Sequence, residues 1–181
     1  VMRSGYPRFV RNYCIQDLIR HFNQGEANPN LETFLFSNQA DCDFFQSLYQ
    51  VKPTAQDIQD GLIRLDFPAG SKEAEHCRLF QQHTGSSISS RFAEDLLYQK
   101  GKIAQRECIS VSDSPASEQI TQIIAKAHGP SIEPRDVLLA NSGANAFYSL
   151  FRAATEQARV NQKKIWIRLG WLYLDTIKVM Q

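Results

Sequence analysis

The sequence lacks the features that are typical of membrane, secreted and nucleic-acid-binding proteins. None of the apolar runs in its 181 residues approaches the roughly 20 residues that a membrane span needs. Its 20 basic and 19 acidic residues leave a net charge of +1, too balanced for a nucleic-acid footprint or a polybasic membrane anchor. The N-terminus also lacks the apolar core of a signal peptide. We therefore expect a soluble, cytoplasmic protein that binds neither nucleic acid nor membranes.

Metal-site and redox motifs are lacking too. The four cysteines are scattered, without a Cys-x-x-Cys pair and without a histidine at ligand spacing. The four histidines are equally dispersed, and no Ser/His/Asp order can be argued from them. We expect buried free thiols and no metal site.

Hydrophobic patterning is what the chain does have, and it divides the sequence near residue 110. In residues 1–110, apolar residues at helical spacing predict a first helix around Ile15 to Phe22. Short strands at 34–36 and 63–67 each lead into an amphipathic helix, ending near Tyr49 and Gln82, and a further helix follows around Phe92 to Leu97. This predicts an N-terminal α+β region. Its expected core contains five phenylalanines, namely Phe36, Phe44, Phe45, Phe67 and Phe80.

Residues 111–181 show a clearer strand–helix–strand pattern. Ser114 and Pro115 form a helix-start pair, and Gly129-Pro130 ends that helix. A buried-type strand at 137–140, a helix at 143–159 and a β-branched strand at 165–169 then follow. This order predicts a βαβ unit with two parallel strands.

Parallel strands would bring two turns to the same edge of the sheet. The turn from Asn141 to Ala144 opens a helix, whose free N–H groups and dipole suit a phosphate. The turn after Leu169 carries Trp171 and Tyr173, and Asp175 is placed to cap a helix beginning at Thr176. Together these turns favour an anionic, planar ligand.

Plainer interpretations of both turns stay open. Ser142 is also a common N-cap of an ordinary tight turn, and Trp171 and Tyr173 are of types often found in cores or interfaces. The glycine pattern of a dinucleotide site and the Gly-Lys-Ser/Thr of a P-loop are both missing, which argues against NAD and nucleoside triphosphates.

Four ordered blocks of the sequence resemble a known family. They are SGYPRFV at 4–10, QHTGSSISSRFAE at 82–94, LLANSGANAFYSLFRA at 138–153 and WIRLGWLYLDTIKVM at 166–180. They are similar to successive blocks of the fungal-type cystathionine gamma-synthases, in the trans-sulfuration group of pyridoxal-phosphate enzymes. The resemblance implies an α/β fold of the aspartate-aminotransferase-like type (fold type I), with a mainly parallel sheet and flanking helices. Residues 111–181 would then be the truncated start of the large, cofactor-binding domain.

The resemblance also implies a cofactor site for pyridoxal 5'-phosphate. Ser142, Gly143 and Ala144 match the family's Ser-Gly-Met turn, which cradles the phosphate. Leu169 stands where the family carries an aromatic residue that stacks on the pyridine ring, so Trp171 or Tyr173 would have to replace it. Arg91 falls in a loop that lies near the cofactor or the dimer interface in relatives, although a solvated surface arginine is the plainer interpretation.

The family's Schiff-base lysine lies beyond the matched blocks, and no lysine of this chain has its sequence context. We therefore assign no catalytic residue and expect the chain to be inactive alone. When complete, the enzyme would be a homo-oligomer catalysing γ-replacement on an O-acylhomoserine, with cysteine or another thiol as nucleophile. The alternative is a non-catalytic remnant or interaction module that has lost the cofactor.

Overall fold

A computed structural model describes residues 11–23, 29–107 and 115–181. The chain forms two compact units, Val1–Glu107 and Cys108–Gln181, which divide close to residue 110. The predicted helix-start residue Ser114 lies outside the described residues.

The first unit contains four helices and three strands in the described residues. In chain order they are α1 (Tyr13–Phe22), β1 (Leu31–Phe36), α2 (Gln39–Tyr49), β2 (Ala55–Gln59), β3 (Leu62–Pro68), α3 (Lys72–Thr84) and α4 (Ser90–Gln99). The predicted helices and the strands at 34–36 and 63–67 are confirmed. Strand β2 was not predicted from the sequence.

The sheet of the first unit is antiparallel, in the order β1-β3-β2. A two-residue turn joins β2 to β3, and its residues Asp60 and Gly61 have φ of 53° and 76°. Asp-Gly with both residues in the left-handed region is the preferred sequence of a tight hairpin turn, so β3 must run against β2. The one sheet in the described residues is therefore antiparallel, whereas the parallel strands were expected at 137–140 and 165–169.

One face of the sheet packs against α2 and α3 through an aromatic cluster. Phe36, Phe45 and Phe67 are fully buried, Phe80 is 4% exposed and Phe44 is half-buried. The Phe45 ring lies 6.1 Å from the rings of Phe36 and Phe67 and 5.4 Å from that of Phe80, between centroids. The predicted phenylalanine core is confirmed.

The opposite face of the sheet carries Leu35 and Leu62, which pack with residues of α1 and α4. This face also holds a buried carboxylate, Asp66, which is 1% exposed. Thr33 Oγ1 donates to Asp66 Oδ1 at 2.6 Å, and Arg64 Nη2 donates to Asp66 Oδ2 at 2.6 Å. Because the carboxylate is paired and hydrogen-bonded, its burial is compatible with a stable core.

The second unit is helical in its described residues. It contains α5 (Ala116–His128), a 3-10 turn (Pro134–Asp136), α6 (Gly143–Val160) and α7 (Leu174–Val179). The predicted helix at 143–159 and the stop at Gly129 are confirmed. The predicted strands at 137–140 and 165–169 are wrong, since neither segment is a strand.

The physical reason is that a strand needs a hydrogen-bonded neighbour, which an apolar pattern alone does not supply. Leu138 is 90% exposed, and Ile165 and Leu169 are 83% and 82% exposed. These side chains have the pattern of buried strands, but none of the described residues covers them. The expected βαβ unit is therefore not formed among the described residues.

No helix in the described parts of the chain is both long and apolar enough to cross a membrane.

Candidate functional site

The start of α6 brings three of the predicted site residues together. Ser142 has an extended backbone, with φ −158° and ψ 163°, and is the N-cap of this 18-residue helix. Its Oγ accepts a hydrogen bond from the Asn145 N–H at 3.1 Å, and its carbonyl accepts from the Ala146 N–H at 2.9 Å. A serine hydroxyl that accepts a hydrogen bond can also donate one, so Ser142 can donate to a ligand.

The next two backbone amides are the donors of the turn. Within the described residues, the N–H groups of Gly143 and Ala144 have no acceptor, as expected for the first turn of a helix. Ser142 and Gly143 are exposed and Ala144 is half-buried. A Cβ added at Gly143 would meet nothing within 4 Å, so the backbone is open to a close approach.

These groups have the chemistry of an anion site. Two N–H donors, one O–H donor and the positive end of the α6 dipole converge at one helix start, which is the arrangement that binds phosphate groups in proteins. The same geometry also fits an ordinary capped helix, the plainer interpretation of the sequence. The residues present therefore fit the phosphate end of pyridoxal phosphate.

The aromatic residues of the predicted site are exposed. Trp171 is fully exposed and Tyr173 is 61% exposed, so both rings are accessible for stacking. Tyr173, not Asp175, is the N-cap residue of α7, and its carbonyl accepts from the Ile177 N–H at 3.1 Å. Asp175 instead lies inside the helix and is 6% exposed, so the predicted Asp175 cap is wrong.

Arg91 lies in the first unit, at the second position of α4, and is exposed. It lines a surface cavity of about 250 Å³ together with Tyr13, Cys14 and Glu94. Burial raises the pKa of the Cys14 thiol, so the cavity presents a neutral sulfur beside charged side chains.

Sequence reasoning missed a second cavity, of about 450 Å³, in the first unit. Its walls include the stacked rings of Tyr49 and His76, whose centroids are 4.5 Å apart, and the lysines Lys52 and Lys72. Tyr49 ends α2, Lys52 lies in the loop that follows, and Lys72 and His76 lie in the first turns of α3. No motif connects them in sequence, because only the fold places that loop against that helix.

Comparison with known proteins identifies an enzyme among the similar sequences. The chain is 40% identical over 100 residues to an L-2-amino-4-chloropent-4-enoate dechlorinase/desaturase of Streptantibioticus cattleyicolor. The matched stretch is 55% of this chain and 20% of that enzyme, so the chain corresponds to about a fifth of the relative's length. No protein-family model and no solved structure matches the chain.

This relative corrects the family expectation. The prediction of a cystathionine gamma-synthase is wrong, because the similar protein is a dechlorinase/desaturase, which is a different function. Sequence similarity over part of a chain does not specify the substrate on which the whole enzyme acts.

Proposed function

We propose that this chain is part of a pyridoxal-phosphate enzyme that removes a leaving group from the γ-carbon of an L-α-amino acid. The observation that carries the proposal is the 40% identity to the dechlorinase/desaturase. In the substrate named for that enzyme, the amino group is on carbon 2 and the chlorine is on carbon 4. The departing chloride is therefore on the γ-carbon.

The relative's name favours elimination over the replacement expected from the sequence. Dechlorination joined to desaturation amounts to loss of a proton and a chloride ion, with a new unit of unsaturation and no incoming nucleophile. We therefore propose a lyase-type reaction in place of γ-replacement on an O-acylhomoserine by a thiol. The substrate class is a small L-α-amino acid with a γ-halide or a similar leaving group.

The start of α6 supports the cofactor part of the proposal. The N–H groups of Gly143 and Ala144 and the hydroxyl of Ser142 would donate to the phosphate oxygens. Trp171 or Tyr173 would contribute an aromatic surface for the pyridine ring. When bound, pyridoxal phosphate supplies an electron sink that stabilises negative charge on the substrate's α-carbon.

Cofactor retention tests the phosphate assignment. We expect the full-length enzyme, or this chain supplied with its partner half, to keep the near-visible absorbance of pyridoxal phosphate after dialysis, and Gly143→Val to lose most of it. A valine side chain would occupy the open space through which the phosphate reaches the backbone. Gly143 does not have a left-handed φ, so the substitution does not strain the helix start.

Ala144→Met is the matched control, since it enlarges the neighbouring side chain while keeping the backbone N–H. We expect it to retain the cofactor as the parent does, with circular dichroism showing that both variants are folded. Equal retention by folded Gly143→Val would leave Ser142 as the cap of an ordinary turn.

Chloride release tests the reaction. The 100 matched residues of this chain would replace their counterpart in the Streptantibioticus cattleyicolor enzyme, and chloride release from L-2-amino-4-chloropent-4-enoate would be measured. We expect the chimera to release chloride. A folded chimera that binds cofactor without releasing chloride would contradict the elimination proposal, and one that binds no cofactor would favour the non-catalytic alternative.

A further inference from the structure

The second cavity belongs to the first unit and shares no residue with the start of α6. Its walls come from the end of α2, the loop that follows, the end of β3 and the first turns of α3. Its volume of about 450 Å³ is within the range of about 300–1,000 Å³ that is usual for small-molecule sites. The cavity is therefore large enough for a small organic molecule.

One wall of the cavity is aromatic and is anchored in the core. The Tyr49 and His76 rings stack with an angle of 30° between their planes. The Tyr49 ring also lies 5.4 Å from the ring of the fully buried Phe45, between centroids. His76 Nδ1 is buried without a hydrogen-bond partner among the described residues, and a functional role is one of the recognised reasons for such an atom. The wall offers a surface on which a planar ring can pack.

Three charged side chains line the same cavity, namely Lys52, Lys72 and Glu73. None of them has an ion-pair partner among the described residues. Two ammonium groups and one carboxylate leave an excess of one positive charge, and the start of α3 adds the positive end of its dipole. This balance favours a singly charged anion, such as a carboxylate, over a doubly charged phosphate.

The loop that carries Lys52 is held at both of its ends. The Val51 N–H donates to the Gln46 carbonyl at 3.1 Å, and the Thr54 N–H donates to the Asp66 carbonyl at 2.7 Å. The backbone of Lys52 is therefore fixed before a ligand arrives, which lowers the ordering cost of binding.

We propose that the second cavity binds a small carboxylate that carries a planar apolar ring. The carboxylate pairs with Lys52 and Lys72, and the ring packs against Tyr49 and His76. Glu73 discriminates between two sources of this chemistry, because the ammonium group of an α-amino acid can pair with it and a simple carboxylic acid has no such group. This inference does not depend on the proposed function, since it involves neither the cofactor nor the start of α6.

Nuclear magnetic resonance of the histidine rings in the whole 181-residue chain tests the proposal. The probes are 3-phenylpropionate and L-phenylalanine, which differ only in the α-amino group. We expect a saturable shift of the His76 ring signals with millimolar probe. Tighter binding of L-phenylalanine, weakened by Glu73→Gln, would identify an amino acid as the ligand. Tighter binding of 3-phenylpropionate, unchanged or strengthened by Glu73→Gln, would identify a simple acid.

Lysine variants test how the carboxylate is held. Lys52→Met and Lys72→Met should each raise the dissociation constant about threefold, and the double variant about tenfold, because each change removes one solvent-exposed ion pair with the ligand. Lys126→Met is the matched control, because Lys126 is an exposed lysine on α5 of the second unit. It should leave the dissociation constant unchanged.

A wall variant tests how the ring is held. His76→Ala should weaken both probes in titration calorimetry, and circular dichroism would show whether it is folded. The lysine variants change exposed side chains, so they test the site even if His76→Ala does not fold.

Three results would overturn the proposal. One is the lack of a saturable His76 shift with either probe, and another is equal binding by the parent and the folded double lysine variant. The third is inorganic phosphate binding as tightly as the ring probes, which would leave a non-specific anion contact at the start of α3.

Discussion

Phe45 is the residue on which the packing of the first unit can be tested most directly. Its side chain is fully buried and its ring neighbours those of Phe36, Phe67 and Phe80. Removing a buried phenylalanine side chain costs about 3–5 kcal/mol, and these contacts, with a fourth to the Tyr49 ring, place Phe45→Ala in the upper part of that range. Small domains are stable by only about 5–15 kcal/mol, so we expect the first unit to be close to unfolding.

Urea unfolding followed by far-ultraviolet circular dichroism would measure this loss. Both tryptophans, Trp166 and Trp171, belong to the second unit, so their fluorescence serves as an internal reference that should change little. Phe92→Ala is the control, because Phe92 is 42% exposed and its truncation should cost about 1 kcal/mol or less. Equal losses from the two substitutions would refute the assignment of Phe45 to a tightly packed core.

Three further expectations concern polar groups. Asp66→Ala should lower the free energy of unfolding by about 3 kcal/mol, because the 19% exposed Arg64 side chain loses its ion-pair partner. Asp66→Asn should cost less, because the asparagine still accepts a hydrogen bond from Thr33. Urea unfolding of the two variants measures the difference. Ser142→Ala should destabilise α6 by about 1 kcal/mol, seen as faster hydrogen exchange in its first turn, and Ser142→Asp should restore the cap. Burial raises the pKa of the Cys77 thiol well above its usual range, so the fold favours the neutral form. The neutral Cys77 thiol contributes its full stability at pH values below the ordinary thiol pKa, and this stability is lost as pH rises above that value. The urea midpoint should therefore fall in alkaline solution. It should fall less steeply in Cys77→Ala, which has no thiol at this position.

The candidate site was only partly predictable from sequence. Ser142 followed by Gly143 and an apolar helical pattern is a local signal, and the structure places a capped helix there. The predicted edge of a parallel sheet was not local, because it required the segments at 137–140 and 165–169 to pair. Those segments remain unpaired in the described residues. Their apolar pattern predicted burial, but it could not predict which surface would bury them.

The hairpin shows the opposite case, in which an available signal was overlooked. Asp60-Gly61 lies between residues that read as strand on both sides, and Asp-Gly is a strong sequence mark of a tight hairpin turn. That dipeptide was enough to predict β2 and the antiparallel direction of β3.

By itself, the sequence determined the helices of the first unit, α5 and α6, together with the inward-facing phenylalanines of the first unit. Helical periodicity, caps such as Ser142 and stops such as Gly129 act within a few residues, so they can be recognised in the sequence without knowledge of the fold. Only the tertiary structure decided that Arg64 and Thr33 satisfy the buried Asp66, and that the Tyr49 and His76 rings form one wall of a cavity. These contacts join residues from different elements, and their partners are fixed by the path of the chain through the sheet and not by any local pattern.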